Sequence, residues 1–254
     1  MTTLLSVRGL THSFYGVRAL DGLDFDVRAG TITALIGPNG AGKTTAFQCI
    51  SGVIAPDAGR IAFAGRDIAR LAPDRITRAG LTRTFQIARG IGRLSVLDNL
   101  LLYAPAQSGE RLWPALSGGF RTAERTALGR AWAIAERLNL ARVANVPAAS
   151  LSGGQKKLLE IGRALMAEPR LVLLDEPIAG VNPTLAAEIA THLRALSAEG
   201  VTFLVVEHHM DMIAQLCEPV VVMAEGRRLA EGTFAAIAAD PAVQDAYMGR
   251  RRWH

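Results

Sequence analysis

The sequence predicts an α/β fold in which a mostly parallel β-sheet is joined to a smaller set of antiparallel strands. The largely apolar runs at 171–174 and 201–206 have the composition of strands buried on both faces, as in a parallel sheet. A glycine-rich segment at 37–42 separates a third apolar run from a predicted helix, which is typical of a strand-loop-helix unit. Residues 4–28 instead alternate apolar and polar side chains, which predicts antiparallel strands.

Length and composition predict one large domain or a core with a smaller subdomain, because 50% of the 254 residues are hydrophobic. The net charge of +5 comes from scattered arginines without a base-stacking aromatic motif, so we expect no nucleic-acid partner. No apolar run reaches the roughly 18 residues of a membrane-spanning helix, and the N-terminus lacks the basic start of a signal peptide, so we expect a cytosolic chain. Cys49 and Cys217 are far apart, so we expect buried thiols rather than a disulfide or a zinc site.

The N-terminal strands are predicted from alternating apolar positions such as Leu5, Val7 and Phe25, with a break at Asp21-Gly22. Tyr15 lies between these strands, upstream of the glycine-rich segment. Its ring is suited to stacking on an adenine base and equally to packing on its own sheet. This stretch alone does not decide between the two.

The glycine-rich segment has the spacing G-x-x-x-x-G-K-T between an apolar run at 31–36 and a predicted helix at 45–51. Backbone N–H groups of such a loop converge on a phosphate, with the positive end of the helix behind them. An ordinary glycine-rich turn has similar letters, but the strand before and the helix after favour a phosphate-binding loop. Lys43 is then expected to reach the β- and γ-phosphates, and the Thr44 hydroxyl to bind Mg²⁺. The segment comprises Gly37, Pro38, Asn39, Gly40, Ala41, Gly42, Lys43, Thr44 and Thr45.

Polar residues also follow the next predicted elements. Gln86 ends a short predicted strand, where its amide suits Mg²⁺ or an attacking water as well as an ordinary loop. Apolar spacing predicts helices at 95–103 and 122–138, with a surface loop between them. Ser152 and two glycines then precede a predicted helix at 156–167 and form a second potential anion site.

Two adjacent carboxylates, Asp175 and Glu176, end the apolar run that begins at 171. Acids at this end of a parallel strand point into the ligand crevice of an open α/β sheet. Because burying two carboxylates without a partner is costly, a metal ion and a nucleotide are the natural reason for them. The last predicted elements are a helix at 183–199, a strand at 201–206 ending in Glu207-His208-His209, a hairpin through Glu225-Gly226, and helices at 233–239 and 241–248.

Taken in order, the motifs are Tyr15, GPNGAGKTT at 37–45, Gln86, LSGGQ at 151–155, LVLLDEP at 171–177, AGVNP at 179–183 and His208. This set resembles the nucleotide-binding subunit of ATP-binding-cassette (ABC) transporters over nearly the whole chain. RTFQ at 83–86, VEHHM at 206–210 and AYMG at 246–249, together with AGVNP, look most like the larger ATPase of bacterial branched-chain (hydrophobic) amino acid importers. The ATPase of lipopolysaccharide export has a similar length and ending and is the alternative.

The resemblance implies a RecA-like P-loop NTPase core with a mostly parallel sheet, an N-terminal antiparallel β subdomain and an inserted α-helical subdomain that carries LSGGQ. Residues 1–254 then form a single ABC ATPase domain. Its catalytic core and β subdomain are expected at about 1–88 and 169–254, and its helical subdomain at about 89–168.

The resemblance also implies roles around one ATP molecule and one Mg²⁺ ion. Tyr15 would stack on adenine, Lys43 would contact the β- and γ-phosphates, Thr44 would bind Mg²⁺, and Thr45 would help to hold the α-phosphate. The loop from Gly37 to Gly42 would surround the phosphates.

For hydrolysis, Asp175 would hold Mg²⁺ through water, and Glu176 would polarise the attacking water as general base. His208 would contact the γ-phosphate as the switch histidine. Gln86 would sense Mg²⁺ and carry the signal to the membrane subunits. His209 follows the switch histidine where that family of importer ATPases usually has Asp, which leaves the local hydrogen bonding open.

The LSGGQ motif would act in a head-to-tail dimer, closing over ATP bound to the opposite subunit. Its nucleotide-facing residues are Ser152, Gly153, Gly154 and Gln155. A look-alike stretch, LSGGF at 116–120, repeats its first four letters, but no strand ending in an acid follows it. We therefore expect only the motif at 151–155 to grip the nucleotide.

The implied assembly contains a second ATP-binding subunit, identical or different, two integral membrane permease subunits and, indirectly, a periplasmic or extracellular solute-binding protein. The chain would then lie peripherally at the cytoplasmic face of the inner (plasma) membrane. A soluble ABC ATPase acting on DNA or ribosomes is less favoured, because the chain has one cassette and no heptad run. LSGGQ together with DEP argues against a small-molecule kinase.

Overall fold

The computed structural model describes residues 2–84, 91–105 and 120–248, with only the backbone of residues 120 and 121. The strands in this part of the chain are β1 (Thr3–Phe14), β2 (Val17–Arg28), β3 (Ile32–Ile36), β4 (Ala58–Phe63), β5 (Arg66–Asp67), β6 (Leu81–Arg83), β7 (Leu171–Asp175), β8 (Thr202–Val206), β9 (Val220–Ala224) and β10 (Arg227–Gly232). The α-helices are α1 (Lys43–Ile50), α2 (Pro73–Arg78), α3 (Val96–Leu101), α4 (Phe120–Arg137), α5 (Gly153–Met166), α6 (Pro183–Ala198), α7 (Met210–Leu216), α8 (Phe234–Ala239) and α9 (Pro241–Met248).

These elements belong to two compact units. The first comprises residues 1–83, 170–177 and 193–254, and the second comprises 84–169 and 178–192. Both β-sheets lie in the first unit, whereas α3, α4 and α5 lie in the second.

A four-stranded antiparallel sheet with the order β2-β1-β4-β5 forms one layer of the first unit. The hairpin turn between β1 and β2 lies at Tyr15-Gly16. The expected break at Asp21-Gly22 is wrong, because these residues lie within β2, where the register against β1 shifts. Gly22 has a φ of 78°, a left-handed conformation that glycine adopts without strain and that suits a β-bulge.

The second sheet has six strands in the order β10-β9-β3-β8-β7-β6. Strands β6, β7, β8, β3 and β9 run parallel, and β10 pairs antiparallel with β9 through the predicted turn at Glu225-Gly226. Every residue of β3, β7 and β8 is buried, which explains their apolar composition. The predicted α/β fold with a mostly parallel sheet and an antiparallel β subdomain is confirmed.

Helix α1 is central to the core of the first unit. Its Phe47 and Ile50 are fully buried in one apolar cluster with Phe25 and Phe63 of the antiparallel sheet and Leu204 of the parallel sheet. Burying a large side chain of this kind stabilises a fold by about 1.5–3 kcal/mol. The loop that precedes α1 is therefore attached to a helix anchored in the apolar core.

In the second unit, α3 packs against α4 and α5, and α4 packs against α5. Arg163 of α5 is buried and donates a hydrogen bond to the Asn99 side chain of α3. The helices expected at 95–103 and 122–138 are observed as α3 and α4. The sequence analysis did not predict α2 and α7.

Cys49 and Cys217 are both buried free thiols, as expected. Burial raises the pKa of each thiol to about 12. No helix in the described part of the chain has both the length and the apolar character needed to cross a membrane.

Candidate functional site

The predicted phosphate-binding loop lies between the end of β3 and the start of α1. Gly37 and Gly42 both have positive φ angles, of 151° and 97°. A Cβ atom on Gly37 would lie 2.1 Å from the Met223 carbonyl oxygen, and one on Gly42 would lie 2.4 Å from the Ala19 carbonyl oxygen. Only glycine therefore fits these positions, since both the backbone angle and the close approach exclude a side chain.

The Lys43 side chain folds back over this loop. Its ammonium group is buried and donates hydrogen bonds to the carbonyl oxygens of Gly37 at 2.8 Å and Pro38 at 3.0 Å. Burial lowers the pKa of Lys43, while the negative charges of Glu176 and Asp175 oppose that shift. The Lys43 ammonium group is therefore close enough to the Asp175 and Glu176 carboxylates to interact with both electrostatically.

An open cleft brings most of the predicted site residues of the first unit together. Ala19 of β2 and Val206 of β8 are additional lining residues that the sequence analysis did not single out. The lining residues are Ala19, Asn39, Gly40, Gly42, Lys43, Thr44, Thr45, Asp175, Glu176, Val206 and His208.

Asp175 is the last residue of β7 and is almost fully buried. Its Oδ2 accepts a hydrogen bond at 3.0 Å from Nη2 of Arg83, the last residue of β6. The Arg83 guanidinium also lies over the Phe47 ring of α1, at 5.8 Å from the ring centroid. Sequence reasoning missed Arg83, because 92 residues separate it from Asp175.

Glu176 follows β7 in a left-handed backbone conformation, with a φ of 50°. Its backbone N–H donates to the Val206 carbonyl oxygen at 2.9 Å, which ties the residue to the end of β8. Its Oε1 lies 3.2 Å from Nε2 of His208. A non-glycine residue held at positive φ in a cleft is typical of functional sites, where packing compensates the strain.

Tyr15 lies at the tip of the β1–β2 hairpin, with a φ of 48° and a fully exposed side chain. The ring does not pack on its own sheet. Tyr15 is not among the residues that line the cleft, although Ala19 of the same hairpin is.

Ser152 is the N-cap residue of α5 in the second unit. Its hydroxyl accepts a hydrogen bond from the Gln155 N–H at 3.2 Å, and its own N–H donates to the Gln155 side-chain oxygen at 3.0 Å. This reciprocal capping box explains Ser and Gln at this spacing. A Cβ on Gly154 would lie 2.1 Å from a Leu185 methyl group, whereas Gly153 faces open space.

Two predicted features lie outside the described residues, namely Gln86 and most of the look-alike stretch at 116–120.

Tyr247 of α9 is a further residue that sequence reasoning missed. A hydrogen bond with the Gly37 backbone lowers its pKa, but burial dominates and raises it. This contact brings α9 to the start of the phosphate loop.

The fold and the cleft together define the general class of protein. A glycine-rich loop between a buried parallel strand and a helix N-terminus, with its lysine facing strand-terminal carboxylates, is the arrangement of a P-loop nucleotide-binding protein. No cluster of three or more His, Cys, Asp or Glu side chains capable of holding a metal by themselves occurs within 2–84, 91–105 and 120–248.

Comparison with known families gives the particular assignment. A family model described as ABC transporter matches residues 20–179. A second, described as branched-chain amino acid ATP-binding cassette transporter, matches residues 227–252. The chain belongs to the ABC transporter family and is the ATPase component of a transporter.

Individual relatives are similar in sequence to this chain over nearly its full length. A probable branched-chain amino acid transport ATP-binding protein, LivG of Archaeoglobus fulgidus, is 40% identical over 97% of this chain and 95% of its own length. The high-affinity branched-chain amino acid transport ATP-binding protein BraF of Pseudomonas aeruginosa is 37% identical over 97% of this chain and 98% of its own.

Solved structures show the same fold. A nucleotide-free ATP-binding cassette from an ABC transporter has a TM-score of 0.86 and 35% identity, covering 98% of this chain and 100% of its own. The ADP conformation of an ATP-binding cassette of an ABC transporter has the same TM-score, identity and coverage.

Proposed function

We propose that this chain hydrolyses ATP to drive an importer for branched-chain or other hydrophobic amino acids. The observation that carries the proposal is the match of residues 227–252 to a branched-chain amino acid transporter model, beyond the general ABC match. Relatives named for branched-chain amino acid transport support it over 97% of the chain. The working assembly would contain a second ATP-binding subunit, two membrane permease subunits and a solute-binding protein, with this chain at the cytoplasmic face of the membrane.

The residues of the cleft fit an ATP phosphate chain with Mg²⁺. The Thr44 hydroxyl and the Asp175 carboxylate are oxygen donors on one cleft, the ligand type that Mg²⁺ prefers. They would hold the ion, Asp175 through water. When bound, Mg²⁺ neutralises phosphate charge that develops during phosphoryl transfer.

The chain's own groups then perform the positioning. The Lys43 ammonium would exchange its two loop carbonyls for the β- and γ-phosphate oxygens, and backbone N–H groups of the loop would surround the β-phosphate. Glu176 would accept a proton from the attacking water as general base. The His208 ring, 3.2 Å from that carboxylate, would contact the γ-phosphate.

The remaining roles concern groups outside the cleft. The fully exposed ring of Tyr15 would stack on adenine, and Gln86 would link Mg²⁺ to the membrane subunits. Ser152, Gly153, Gly154 and Gln155 would close over ATP of the opposite subunit. The capping box leaves the Ser152 side chain exposed at a helix N-terminus, which favours an anion there.

A transport assay tests the proposed cargo. In the source organism, Lys43→Ala in the chromosomal copy should reduce uptake of labelled leucine, isoleucine and valine to the level of a strain that lacks the gene. Uptake of labelled lysine is the control and should not change. Normal leucine uptake together with defective export of lipopolysaccharide would refute the importer and support the alternative.

A further inference from the structure

Glu207 is an unassigned acidic residue between the end of β8 and His208. Its side chain is only 1% exposed. Its Oε2 accepts hydrogen bonds from the backbone N–H of His208 at 2.8 Å and of His209 at 3.3 Å. The same oxygen lies 3.0 Å from Nδ1 of the His209 ring. Three nitrogen atoms of two consecutive residues therefore surround one buried carboxylate oxygen.

This contact compensates for a break in the regular structure. His208 and His209 lie between the end of β8 and the start of α7, and their N–H groups donate to the Glu207 side chain instead of to a carbonyl oxygen of a strand or helix. Backbone N–H groups outside a strand or helix need another acceptor, and a carboxylate makes a stronger hydrogen bond than a neutral group. The Glu207 carboxylate supplies that acceptor from inside the chain.

The contact also holds the backbone that carries the His208 ring. The backbone of His208 is held by Glu207 at its N–H, and its ring reaches the Glu176 carboxylate at 3.2 Å. Glu176 is itself held by its N–H bond to Val206, the residue before Glu207. The Glu176 and His208 side chains are therefore both held at the carboxyl end of β8.

We propose that Glu207 is a positioning residue, which fixes the segment 207–209 so that the His208 ring meets Glu176 and the γ-phosphate in the reactive geometry. The His209 ring strengthens this hold by adding a third nitrogen to the same oxygen. The inference rests on the proposed function, because it assumes that His208 acts on ATP. It assigns Glu207 no contact with substrate.

The test compares Glu207→Ala and Glu207→Gln with the wild-type full-length chain in steady-state ATPase assays. Glu207→Ala removes the acceptor, so kcat should fall about tenfold while KM for ATP stays within about twofold. Glu207→Gln retains a neutral acceptor oxygen, so kcat should fall only about threefold. Glu231→Ala is the matched control, because Glu231 is an exposed carboxylate paired with Arg228, and it should leave both constants unchanged.

Wild-type kcat in Glu207→Ala would overturn the inference, and so would parallel losses in kcat, ATP affinity and melting temperature. If Glu207→Ala does not fold, Glu207→Gln decides alone: a threefold lower kcat at unchanged KM supports the inference, and wild-type kcat overturns it. His208→Ala, assayed in parallel, distinguishes failure of the proposed role of His208 in hydrolysis from failure of the positioning role of Glu207. Normal turnover in His208→Ala would refute the role of His208 itself, whereas lost turnover there with normal turnover in Glu207→Ala would refute only the role of Glu207.

Discussion

Replacing Arg83 by methionine should destabilise the first unit, because it leaves the buried carboxylate of Asp175 without the cation that hydrogen-bonds to it. The two side chains are only 12% and 5% exposed, and their charged atoms lie 3.0 Å apart. At an effective dielectric constant of about 20, charges at that 3.0 Å separation attract by roughly 5 kcal/mol, part of which offsets their desolvation. Removing one partner of a buried pair typically costs about 3–5 kcal/mol. Since methionine keeps much of the packing against Phe47, we expect a loss of stability at the lower end of this range, about 3 kcal/mol.

Thermal unfolding measures this effect without nucleotide. A loss of about 3 kcal/mol corresponds to a melting temperature lower by roughly 6–12 °C in a chain of this size. Arg170→Met is the matched control, because the exposed Arg170 lies over the Phe63 ring at the same 5.8 Å with no carboxylate partner among the described residues. That contact is worth about 0.5–1 kcal/mol. The double variant Arg83→Met/Asp175→Asn should recover part of the loss, since it removes the unpaired charge. Equal melting temperatures for Arg83→Met and Arg170→Met would refute the reasoning.

Three further predictions concern the nucleotide, the dimer and the thiols. Tyr15→Ala should weaken ATP binding by about 1 kcal/mol, measured by titration calorimetry, with an unchanged melting temperature because the ring is fully exposed; Tyr15→Trp should bind normally. Ser152→Arg should abolish ATP-driven dimerisation in size-exclusion chromatography but retain ATP binding by the monomer, and loss of both would contradict the assignment to the opposite subunit. Because the pKa of both thiols is raised to about 12, the reactive thiolate is absent at pH 8 and appears only as the pH approaches 12. Cys49 and Cys217 should therefore resist Ellman's reagent at pH 8 until guanidinium unfolds the chain, and prompt labelling of the native protein would contradict this.

Local patterns were enough to predict where the glycine-rich loop and the two strand-terminal acids lie. The phosphate loop is contiguous, and Asp175 and Glu176 are recognisable because they end a run of apolar residues that only a buried strand explains. Their common cleft follows from a general property of parallel sheets, whose carboxyl ends meet at one edge. The sequence therefore predicted both the strands and loop that form the cleft and the edge of the parallel sheet at which the cleft lies.

Contacts between distant residues could not be predicted in the same way. Arg83 and Asp175 meet only because β6 and β7 are adjacent in the sheet, an order that no periodicity encodes. The bulge near Gly22 was mistaken for a turn, because glycine at positive φ serves both structures. Glu207 resembles any charged residue after a strand until its burial and its three nitrogen partners are known.

The central claim is that this chain hydrolyses ATP with Glu176 as the base. The direct measurement is steady-state phosphate release by purified wild-type chain and Glu176→Gln, with ATP binding measured on the same samples. The glutamine keeps the size of the side chain and its hydrogen bonding but cannot accept the proton, so turnover should fall by roughly 10²-fold or more while ATP still binds. Near-normal turnover in Glu176→Gln would contradict the account.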